Sequence, residues 1–124
     1  RTRVHFAGDY TFEAGFDEMA SMILRGLGEA YFCADDVISI GAMSALHRAD
    51  YKIPEQIGII GFNDMEMAGW DNVRLTTIRQ PLDQIIEESV LCLEQILSSE
   101  QSKGSKQKLL PCHIVERDTL PPVS

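Results

Sequence analysis

Four residues of differing chemistry, Tyr10, Asp35, Asn63 and Gln80, each stand just beyond the end of a short, largely apolar run. The runs, residues 3–7, 30–34, 57–62 and 75–79, read as β-strands, so an aromatic ring, a carboxylate and two amides would meet at one edge of a sheet. Stacking combined with a few directed hydrogen bonds is how a small polar molecule such as a sugar is held. Each residue also has an ordinary reading in loop chemistry: Tyr10 covering core, Asp35 in a turn, Asn63 making a local turn bond. Asp36 opens a helical stretch and reads as its N-cap rather than as a ligand.

Catalytic constellations are thin. Asp35 and Asp36 at a strand end would suit an acidic phosphoacceptor pocket, but that chemistry needs a lysine at a later strand end. The lysines are Lys52, Lys103, Lys106 and Lys108, all in loops or polar flanks. Cys112 and His113 would point to opposite faces of a strand, which separates thiol from base. His5 and His47 have no partner at metal-ligand spacing, and Gly58 and Gly61 lie inside a strand rather than in a phosphate-cradling loop after one. Cys33, Cys92 and Cys112 are odd in number and widely spaced, and they read as buried reduced thiols of a cytosolic protein. Neither enzyme chemistry, a metal nor a cofactor is expected.

Helices must alternate with these strands to bring their ends together. Thr11 can cap a helix carrying Phe12, Phe16, Met19, Ala20, Ile23, Leu24 and Leu27 at helical spacing, with Gly26 and Gly28 stopping it. From Asp36 to Ala49 the apolar residues Val37, Ile38, Ile40, Met43, Ala45 and Leu46 cover too much circumference for one stripe, so that helix should pack on two sides. Ile57 to Phe62 is an unbroken apolar run, as in a parallel strand covered on both faces. Pro81 suits the first turn of a third helix, to about Leu97, with one clean face of Leu82, Ile85, Ile86, Val90, Leu93, Ile96 and Leu97. A polar loop, residues 98–108, then leads to a last strand, residues 109–117. The class is α/β, a parallel sheet flanked by helices.

The 124 residues, 44% apolar and 24% charged, suffice for one domain of ordinary size. Eleven Lys and Arg against nineteen Asp and Glu give a net charge of −8. That repels phosphate backbones, so these residues should not bind nucleic acid by themselves. No run approaches the roughly 20 apolar residues of a membrane span. The start lacks a signal-peptide pattern and a Met, as expected of a cytoplasmic protein of which this is a piece.

Four segments resemble the effector-binding domain of lac-repressor-type (LacI/GalR) transcription regulators. They are residues 8–16 (GDYTFEAGF), 32–36 (FCADD) with Ile40-Gly-Ala42, 53–64 (IPEQIGIIGFND) and 75–81 (LTTIRQP), in the family's order and spacing. The resemblance implies a truncated periplasmic-binding-protein-like fold of type I. Residues 1–79 would form part of the C-terminal lobe, 80–109 a crossover helix and loop of the N-terminal lobe, and 110–124 the return to the C-terminal lobe. Tyr10, Asp35, Asn63 and Gln80 fall where the family contacts its effector. Two departures stand out: the family most often has Asn where this chain has Asp35, and Asp where it has Asn63.

The resemblance further implies a homodimer, with Met43, Leu46 and Trp70 near the two-fold contact, and DNA binding only through a helix-turn-helix head outside this chain. A transport-type sugar-binding protein of the same fold is the alternative, and a receiver or flavodoxin-like enzyme domain a third reading. The apolar face of the last helix belongs, on this resemblance, against a lobe the chain lacks, so self-association through it is expected of the isolated piece.

Overall fold

The computed structural model describes residues 2–98 and 107–122, so most of the expected polar loop lies outside the described residues. Two compact units are formed, one from Arg1–Arg79 with Ile114–Ser124 and the other from Gln80–His113.

In the larger unit, α1 (Phe12–Arg25) begins where the Thr11 hydroxyl accepts a hydrogen bond from the Ala14 N–H. It ends at Gly26, whose φ of 104° is natural only to glycine. The strands are β1 (Ala30–Phe32), β2 (Gly58–Phe62), β3 (Thr77–Arg79) and β4 (His113–Val115), and they lie in that order in one sheet. β1 pairs parallel to β2 with Ala30 opposite Gly58, and β2 pairs parallel to β3 with Gly61 opposite Thr77. The expectation of a helix-flanked parallel sheet holds for these strands.

Between β1 and β2 runs α2 (Asp36–Arg48), which touches α1 on one side and β2 on the other. That two-sided packing accounts for its broad apolar surface. The two helices approach backbone to backbone: a Cβ on Gly15 would strike the Ile38 carbonyl, and one on Gly41 the Phe12 carbonyl. Glycine inside a helix costs about 0.5–1 kcal/mol relative to alanine, a cost offset here by the close approach it permits. Met19, Leu46, Ile59 and Leu75 form the centre of the core, each 1% exposed or less.

The core also holds a carboxylate. Asp36 is wholly buried, and accepts hydrogen bonds from the Thr77 hydroxyl at 2.6 Å and from the Met65 N–H at 2.7 Å. Gly61 supplies the room, because a Cβ there would collide with Asp36 Oδ1. Burial pushes the Asp36 carboxyl above the usual carboxylate range, the two hydrogen bonds pull it back, and the negative Asp35 and Asp64 add to the rise. The expectation that Asp36 caps the helix is therefore corrected. Asp35 has the extended backbone of a cap (φ −157°, ψ 152°) and accepts from the Val37 N–H, whereas Asp36 is already helical and turns inward.

Three other expectations change. Residues 3–7 form no strand, because no described neighbour offers them a ladder; Val4 and Phe6 are exposed and His5 pairs with Glu18 at 3.3 Å. The last strand contracts from residues 109–117 to His113–Val115. The cysteines are not all buried: Cys33 and Cys92 are half-buried and Cys112 is exposed. Burial raises the Cys33 thiol against a smaller lowering from the Ser39 hydrogen bond, which disfavours the thiolate.

In the smaller unit, α3 (Leu82–Ser98) buries no residue, and Leu82, Ile86, Val90, Leu93, Ile96 and Leu97 are all exposed. Lys108 pairs with Glu88 on that helix.

Two predictions follow from this packing. Gly41→Ala should destabilise the chain by about 1–3 kcal/mol through overpacking against α1, measured by urea unfolding; an unchanged midpoint would contradict the contact. Thr77→Val removes a donor from buried Asp36. The folded pKa of Asp36 already exceeds its unfolded value, so its contribution to stability is full below the unfolded pKa and lost as pH rises through the folded one. Losing the donor raises the folded pKa further. The variant should therefore lose about 1–3 kcal/mol at neutral pH and less in mildly acid buffer, and a deficit independent of pH would show that Thr77 does not hold the ionised carboxylate.

Candidate functional site

The carboxyl ends of β1 and β2 are where the sequence places ligand chemistry, and there the two loops meet. Asn63 Nδ2 donates to Asp35 Oδ2 at 2.8 Å, joining residues 28 positions apart. Asp35 Oδ1 accepts from the Val37 N–H at 2.8 Å. Each carboxylate oxygen thus has one donor from the chain and further lone-pair capacity for an incoming hydroxyl. The turn role does not exhaust Asp35, since capping uses only part of its acceptor capacity.

Asn63 reaches this position through an uncommon backbone. Its φ is 103° and that of Asp64 is 51°, two successive non-glycine residues at positive φ. Such residues cost of order 1–3 kcal/mol each and persist only where their surroundings over-determine them. Here the Asn63 N–H donates to the Ile78 carbonyl at 2.8 Å, the Asp64 N–H to the Thr77 hydroxyl at 3.4 Å, and the Met65 N–H to Asp36. All three amides of the loop are engaged by β3 or by the buried carboxylate.

Asp64 is the site's charged anchor, with a side chain only 4% exposed. Arg117 Nη2 donates to its Oδ1 at 2.8 Å, and Arg79 donates to its Oδ2. Burial alone would raise the Asp64 carboxyl; the hydrogen bonds and positive charges of Arg117 and Arg79 outweigh it and hold the group below the usual range. The acidic end of the sheet is neutralised by guanidiniums rather than by the lysine that a phosphoacceptor pocket requires. Among the described residues no group of three or more His, Cys, Asp or Glu is placed to hold a metal.

Tyr10 lies in the loop before α1, with its ring largely exposed and its N–H donating to Asp9 Oδ1 at 2.7 Å. Gln80 is the first residue beyond β3 and belongs to the smaller unit. The structure thus joins Asp35 directly to Asn63, and puts Tyr10 in the loop before α1. It adds Phe32, an exposed ring at the end of β1 packed edge-on to Phe62 at 6.3 Å. Sequence reasoning missed Asp64, Arg79 and Arg117. The adjacent Asn63-Asp64 was visible as a loop, but no local signal ties it to an arginine 53 residues downstream.

Of the residues expected at a dimer contact, Met43 and Leu46 are 6% and 0% exposed, inside the core of the larger unit. α2 is covered on both sides within one chain, so they offer no area to a second copy. Trp70, 53% exposed beside a 3₁₀ turn (Glu66–Gly69), does. No described helix is long and apolar enough to cross a membrane.

Residues 2–120 match the periplasmic binding protein-like domain family. The chain is 37% identical over 111 residues to the HTH-type transcriptional repressor CytR of Escherichia coli, covering 89% of this chain and 32% of that protein. It is 31% identical over 105 residues to the ribose operon repressor of the same organism, covering 84% of this chain and 32% of that protein. The crystal structure of the lac repressor dimer bound to operator and the anti-inducer ONPF superposes with a TM-score of 0.79 at 30% identity, over 91% of this chain and 39% of that one. The chain therefore spans about a third of the length of the curated relatives it matches. Matched by the domain along nearly all its length, and by repressors in both sequence and structure, the chain belongs to the periplasmic-binding-protein-like effector domains of LacI-family transcriptional regulators.

Proposed function

We propose that this chain is the effector-binding and dimerisation portion of a bacterial LacI-type regulator. It takes a small polar ligand, a sugar or sugar derivative, that controls DNA binding by a helix-turn-helix head elsewhere in the protein. The observation that carries the reading is the Asp35–Asn63 hydrogen bond at the carboxyl ends of two parallel strands, where open α/β sheets bind ligands. A carboxylate with acceptor capacity and a neighbouring amide suit vicinal hydroxyls. Tyr10 supplies a face for stacking and Gln80 a second amide. Asp35 and Asn63 exchange the family's commoner Asn and Asp, which leaves the formal charge of the pair unchanged and moves the carboxylate across the crevice. The favoured ligand hydroxyls should move with it.

On this reading residues 1–79 and 110–124 belong to the C-terminal lobe, and α3, with its uncovered apolar face, belongs to residues 80–109 of an N-terminal lobe completed by the rest of the protein. Ligand binding between lobes then shifts the population between forms that space two DNA-binding heads differently. The role is regulatory, not enzymatic, and cytoplasmic. The named repressors among the relatives favour it over a transport protein of the same fold.

Thermal-shift screening of the full-length protein against a sugar panel should identify a stabilising ligand. Tyr10→Ala should then weaken that ligand by about 1–3 kcal/mol through loss of one apolar face, measured by calorimetry; unchanged affinity removes Tyr10 from the site. For dimerisation, Trp70→Glu should move the full-length protein toward monomer in sedimentation velocity, and an undisturbed dimer would place the interface elsewhere.

A further inference from the structure

Asp64 sits between the candidate ligand contact and the two places where the chain passes between its units. It follows Asn63 directly, and its buried carboxylate is gripped through separate oxygens by Arg79 and Arg117. Arg79 is the last residue of β3, and the next residue, Gln80, opens the smaller unit. Arg117 stands three residues after Ile114, where the larger unit resumes. Arg117 is further tied to the edge of β3: Nη1 donates to the Leu75 carbonyl at 2.7 Å, and its backbone N–H to the Thr76 hydroxyl at 2.9 Å.

From this arrangement we infer that Asp64 is a positioning residue that couples Asn63 to both chain crossings, so that ligand contact at Asn63 is felt at residues 79–80 and 114–117 together. The inference rests on the reading of Asn63 as a ligand contact. Its physical basis is that charge-assisted hydrogen bonds are short and directional, and that a carboxylate held by a different guanidinium at each oxygen passes its displacement to both. The positive-φ backbone at Asn63 and Asp64 gives the joint a second property. With all three loop amides bonded, the loop has little freedom to absorb a displacement locally, and passes it on. Arg79 and Arg117 differ in a way that makes the joint separable, for the Arg79 side chain is 52% exposed and that of Arg117 only 15%.

Hydrogen–deuterium exchange on the full-length protein tests this without a known ligand. Asp64→Asn should raise exchange in both residues 77–82 and residues 114–118 by roughly tenfold, the size expected for losing a charge-assisted hydrogen bond. Residues 12–25 and 36–48 should be unchanged. Arg79→Gln, at an exposed position that folding tolerates, should release residues 77–82 and leave 114–118 protected. A uniform rise across all four segments in Arg79→Gln, or no change at either crossing, overturns the joint. Ribose, added at saturating concentration, serves as the ligand probe. If the wild type gains protection at residues 57–65 and at both crossings, Arg79→Gln should keep the first and lose it at 77–82; retention at 77–82 overturns the coupling. Ribose without effect on the wild type counts against a ribose-type ligand, while the ligand-free comparison still decides the joint.

Discussion

The buried Asp36 carboxylate is the constraint on which the candidate site depends. An ionisable group with no exposure is costly unless hydrogen-bonded, and its two donors come from different parts of the chain, the Thr77 hydroxyl on β3 and the Met65 amide beyond β2. Satisfying Asp36 therefore fixes three things at once: the first turn of α2, the register of β3 against β2, and the path of residues 63–65. Gly61, lacking a side chain, is what lets the carboxylate enter.

The site's geometry follows from that fixed point. Because Asp36 turns inward, Asp35 is left to cap α2, and capping orients its carboxylate toward Asn63. Because the Met65 amide is held, the chain must turn sharply just after β2, and Asn63 and Asp64 accept positive φ to make the turn. Strain at such a place is the ordinary companion of a functional loop, since it is maintained by surrounding bonds and not by the loop itself. Asp64 then finds Arg79 and Arg117, and the acidic end of the sheet carries two guanidiniums among its carboxylates.

Much of the fold was legible in the sequence, for physical reasons that can be named. Thr11 and Gly26 bound α1 because capping and positive φ are local requirements, and the unbroken run to Phe62 signalled a strand buried on both faces. The breadth of apolar residues on α2 correctly implied two packed sides, but not what covers them. Covering by α1 and β2 draws Met43 and Leu46 into the core, and the backbone contact through Gly15 and Gly41 has no periodic signature. The segment 3–7 had a strand's composition without a ladder partner among the described residues, and pairing is not a property of one segment. In the site, the loop residues were readable from their places at strand ends. The inward turn of Asp36 and the grip of Arg117 on Asp64 were not, because both join residues more than forty positions apart, or nearly thirty for Met65.

On the proposed reading, ligand contacts belong on elements that are rigid locally and connected to what must move. The parallel sheet supplies the rigidity, and the loops at its carboxyl edge carry the polar groups. The central claim is that a polar ligand is held at that edge by Asp35 and Asn63. A crystal structure of the full-length protein with the ligand that stabilises it tests the claim most directly. The account predicts ligand hydroxyls within about 3.2 Å of the Asp35 carboxylate and the Asn63 amide, with the Asp36–Thr77 hydrogen bond intact beneath them. A ligand seated elsewhere, with the Asp35–Asn63 pair still closed upon itself, would contradict it.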